Sequence, residues 1–82
     1  MNSEIAVLRG RLAAANESLK LLEIGVDCDI GIVRGTADKY ADKEDLQVEA
    51  MVAAAERIRE SVAKIRTLNA IAASLKKDLG EA

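Results

Sequence analysis

Ile5, Leu8, Leu12, Ala15, Leu19, Leu22 and Val26 follow one another at alternating spacings of three and four residues. That pattern restricts the fold more than any other feature of the chain. It puts the apolar groups on one stripe of an α-helix and matches the a and d positions of a coiled-coil seam. A helix is predicted from about residue 3, with Ser3 as its N-cap and Glu4 at the positive end of the helix dipole. Gly10 interrupts it at a cost of ~1 kcal/mol relative to Ala, which three heptads of Leu can absorb unless close packing needs the glycine.

A second helical pattern, from about residue 38 to 79, carries Val48, Met51, Val52, Ala55, Ile58, Val62, Ile65, Leu68, Ala72, Leu75 and Leu79 in phase with a 3.6-residue period. Successive steps of three, Val62 to Ile65 to Leu68, depart from a strict heptad and widen the apolar face. The segment can therefore meet more than one neighbour. Lys76 and Lys77 suit its negative end, and Gly80 stands where a left-handed stop is expected.

Residues 24–33 fit two periods. Val26, Ile30 and Val33 extend the first helix, whereas Ile24, Val26, Cys28, Ile30 and Ile32 alternate with Gly25, Asp27, Asp29 and Gly31 as a strand would. β-Branched residues and glycine favour the strand. Length matching favours the helix: a first helix ending at Arg34 would run ~48 Å, close to the ~57 Å of the second at 1.5 Å per residue. The helix is the preferred reading, with Gly35 as its left-handed cap and Thr36 or Asp38 opening the second helix. The expected fold is thus a single all-α domain over residues 1–82, an antiparallel, coiled-coil-like helical hairpin assembling into a helical bundle. The alternative is an α-β-α chain whose strand at 24–33 pairs across a dimer.

Composition limits the chemistry. The 82 residues include no His, Pro, Trp or Phe, one Tyr and one Cys, with 12 basic and 14 acidic groups. Without His, the usual general base near neutral pH, zinc ligand and triad member is missing, so no catalytic residue, metal site or cofactor is assigned and an enzyme is not expected. Asp27-Cys28-Asp29 places a thiol between two carboxylates, which disfavours the thiolate; Cys28 reads as a small buried apolar residue, with a cross-subunit disulfide as the alternative. Asp27 and Asp29 could open a calcium loop, but Gly31 falls at the fifth position instead of the sixth and Asp38 stands where Glu is needed.

Arg34, Thr36, Lys39 and Tyr40 gather donors and one ring beside a helix start, which makes them the candidate contacts for an anion, a nucleotide or a partner. Basic residues of the second helix are interleaved with Glu56, Glu60 and Asp78 and lack aromatic neighbours, so nucleic acid is not an expected partner. The longest apolar run, Ala50 to Ala55, is far short of the ~20 residues that span a bilayer, so no membrane partner is expected either. The N-terminus lacks a basic region followed by an apolar block, and with a lone Cys the default setting is cytoplasmic.

Ala supplies much of the apolar content, so a solitary hairpin would have a thin core. Self-association is expected, with Leu8, Leu12, Leu19, Leu22, Val52, Ile58, Val62, Ile65, Leu68 and Leu75 as the association core. The functional expectation is a non-catalytic protein–protein interaction module: a homo-oligomeric adaptor, small chaperone or inhibitor. The alternative is an oligomer that binds or sequesters a small ligand.

Overall fold

The computed structural model describes residues 2–80. Two long helices, α1 (Asn2–Thr36) and α2 (Val48–Asp78), pack against one another as a hairpin, joined by a loop with a short 3-10 turn at Lys43–Asp45. No strand occurs among the described residues. Residues 24–33 therefore belong to α1, and the α-β-α alternative falls: packing against α2 overrides the local preference of Ile, Val and Gly for extended backbone. The molecule is a rod of 64 × 16 × 14 Å.

In α1 the least exposed positions are Leu8, Leu12, Ala15, Leu19, Leu22, Val26, Asp29, Val33 and Thr36, an unbroken heptad alternation. The seam thus passes through Asp29 and leaves Ile30 outside. Along α2 and its C-cap residue Leu79 the corresponding series is Met51, Ala54, Ile58, Ser61, Ile65, Leu68, Ala72, Leu75 and Leu79. These positions step in heptads, and Val62 is half-buried beside them, so the face is wider there, as its spacing to Ile65 and Leu68 suggests. Ala54 and Ser61 hold seam positions that their size concealed. Val52, expected in the core, stands 52% exposed, and Val62 lies half-buried at the seam's edge. Ala15, Leu19, Ala54, Ala72 and Leu75 form the buried apolar core. Three of the five are Ala, and no large side chain is fully buried among the described residues.

The helix ends differ from expectation at three points. Ser3 lies inside α1, not at its cap. Gly35 also remains inside α1, and Thr36 closes the helix by donating its hydroxyl to the Ile32 carbonyl at 2.7 Å. Residues 37–47 do not begin α2. Asp38 accepts the Tyr40 N–H at 2.9 Å, Lys43 Nζ donates to the Lys39 carbonyl at 3.0 Å, and these local bonds compete with helix in a stretch without apolar periodicity. At the other end Gly80, at φ 75°, makes the expected left-handed stop and donates its N–H to the Lys77 carbonyl.

Candidate interaction surface

One polar group enters the seam. Asp29 occupies a heptad position of α1 and is 9% exposed. Arg57 of α2 reaches it with Nε and Nη2, each 3.0 Å from Oδ1. The pair spans the two helices, and the Arg57 side chain remains 51% exposed. A carboxylate in an apolar seam is tolerable where it accepts charge-assisted bonds, and a guanidinium that keeps one side in water loses little hydration in supplying them. The second ion pair among the described residues, Arg59 to Glu56 at 3.6 Å, lies wholly on the surface of α2.

The loop end of the rod carries the four residues singled out for ligand or partner contact. Arg34 lies in the last turn of α1, and the Thr36 hydroxyl is engaged by the Ile32 carbonyl. Lys39 Nζ sits 5.1 Å from the centre of the Tyr40 ring, a cation–π contact on an otherwise exposed tip. Thr36 and Lys39 thus already have partners within the hairpin. A groove of ≈ 500 Å³ lies elsewhere, beside the seam, lined by Ser18, Leu22, Ala63, Lys64, Thr67 and Leu68. Another of ≈ 380 Å³ lies along Ser3, Glu4, Val7, Leu8 and Arg11. Neither contains any of the four.

On α1 the exposed large apolar residues are Ile5, Val7, Leu21, Ile24, Ile30 and Ile32. Of these Leu21, Ile24 and Ile32 share the outer face with Cys28, which is also exposed. Cys28 was expected on the buried side; because the seam follows Val26 and Asp29, the thiol falls on the outer surface instead. On α2, Val48, Val52 and Ile71 are likewise exposed. No helix among the described residues is long and apolar enough to cross a membrane.

Shape accounts for the thin core and the bare outer face together. The radius of gyration is 18.4 Å, against about 12 Å for a compact chain of this length. The accessible surface is 6275 Å² for 8.8 kDa, where a compact monomer of that mass exposes about 4,800 Å². Comparison with protein-family models, with curated proteins and with solved structures gave no match.

Proposed function

We propose that the protein is a non-catalytic, homo-oligomeric interaction module, an adaptor, small chaperone or inhibitor that presents a helical surface to other proteins. One observation carries this reading: the hairpin buries few large apolar side chains while leaving Leu21, Ile24, Ile32, Val52 and Ile71 on its outside. The surplus of about 1,500 Å² over a compact monomer exceeds the ~800 Å² that each partner contributes to a stable protein interface. Burying the exposed aliphatic side chains within that surface would favour association without any special chemistry.

Assembly should contribute to stability by mass action, so the thermal midpoint of helix loss should rise with chain concentration. Circular dichroism melts over a thousandfold concentration range test this. An unchanged midpoint across the range, with helix content intact, would rule self-association out as the source of stability.

A further inference from the structure

We infer that α1 of one chain packs antiparallel on α1 of a second copy, across a twofold axis that passes through Cys28. The pairing rests on the self-association proposed above and names its surface and symmetry. The segment Ile24-Gly25-Val26-Asp27-Cys28-Asp29-Ile30-Gly31-Ile32 reads almost identically in both directions from Cys28, with Val26 and Ile30 as its one unequal pair. In a helix, offsets of three, four and seven from one residue lie on one face. Around Cys28 those offsets are Gly25 and Gly31, Ile24 and Ile32, and Leu21 and Gly35. All seven positions are exposed, and none is charged.

An isologous interface requires one patch to complement itself. An antiparallel pair centred on Cys28 sets Ile24 level with Ile32 of the partner subunit, Gly25 with the partner's Gly31 and Leu21 with the partner's Gly35. Aliphatic meets aliphatic, small meets small, and a protruding Leu meets a notch. The absence of charge removes like-charge repulsion from the contact itself. The glycines give the second argument. A Cβ built on Gly25, Gly31 or Gly35 meets nothing within 4 Å, so packing inside the hairpin does not require them. Glycine weakens a helix interior, and on this exposed face it would let a second backbone approach closely. The surplus exposed area of the whole rod, of which this face is one part, exceeds one partner's share of a stable interface.

The test is cross-linking of the full chain with diamide, which takes up the two thiol hydrogens as the S–S bond forms between two copies. Cys28 should couple at least about tenfold faster than a control cysteine at equal concentration, because pairing holds the two thiols at high effective concentration. The control is Ala53→Cys in a Cys28→Ser background, on the exposed side of α2. In parallel, Gly25→Ala with Gly31→Ala should weaken the assembly about tenfold or more while leaving helix content at high dilution no lower than before. A mass above one chain with equal coupling at both cysteines, or a double variant that assembles as tightly as the parent, would overturn the Cys28 pairing and leave self-association standing. A single-chain mass at every concentration would overturn both.

Discussion

The two faces of α1 obey different rules although they share one backbone. The inner face runs without a break from Leu8 to Thr36 in heptad steps and is covered by α2. The outer face from Leu21 to Gly35 mixes aliphatic side chains with glycine, carries no charge and is covered by nothing in the chain. On the inner face the one residue of unexpected polarity, Asp29, is satisfied from within by Arg57. On the outer face the glycines have no internal neighbour to account for them. The inner face is thus explained by folding alone, whereas the outer face is the surface on which the proposed association rests.

Substitutions can break that division, and the largest effect should come from the seam. Leu19→Ala or Leu75→Ala removes one of the two buried leucines, at an expected cost of ~2–5 kcal/mol in denaturant unfolding. So thin a core should then lose most of its helix signal at low concentration. Leu21→Glu with Ile24→Glu should do the converse. Buried charge at the proposed contact should raise the dissociation constant on the order of 100-fold or more, while the free hairpin changes by no more than about 0.5 kcal/mol per site. Loss of helix in the dilute variant would show that the outer face also serves folding.

The ion pair sharpens the comparison at intermediate size. Arg57→Ala leaves the Asp29 carboxylate in the seam without its donor and should destabilise by ~1–2 kcal/mol, a range reduced because Arg57 is half in water. Asp29→Leu restores an apolar heptad residue and should be neutral or stabilising by ~1 kcal/mol in the same urea titrations. A large loss in the leucine variant would mean that the seam needs the carboxylate itself. The smallest effect belongs to Gly10→Ala, where open space surrounds the site and the position lies outside the Leu21–Gly35 face. It should stabilise the hairpin by up to ~1 kcal/mol with an unchanged dissociation constant.

These same residues explain what the sequence disclosed. The seam of α1 was legible through Val26 because Leu and Val mark it unambiguously. It faded at the next step, where the heptad residue is Asp29 and the adjacent Ile30 offers a more hydrophobic continuation. Partnership with a residue 28 positions away cannot be read from local periodicity. In α2 the larger Val52 drew the phase outward, although the close approach of two helices favours the smaller Ala54. The late start of α2 reflects side-chain bonds from Asp38 and Lys43 that compete with the helix ladder. The symmetry about Cys28 was present in the residue order throughout. It acquires physical meaning only in a continuous helix whose Cys28 side faces outward, and a strand would have divided the same residues between two faces.

Sedimentation equilibrium from nanomolar to tens of micromolar chain, with helix content followed alongside, tests self-association most directly. The account expects a mass of twice 8.8 kDa or more at the upper end, falling toward one chain as the solution is diluted. A mass of one chain at every concentration, with the helices intact, would contradict it.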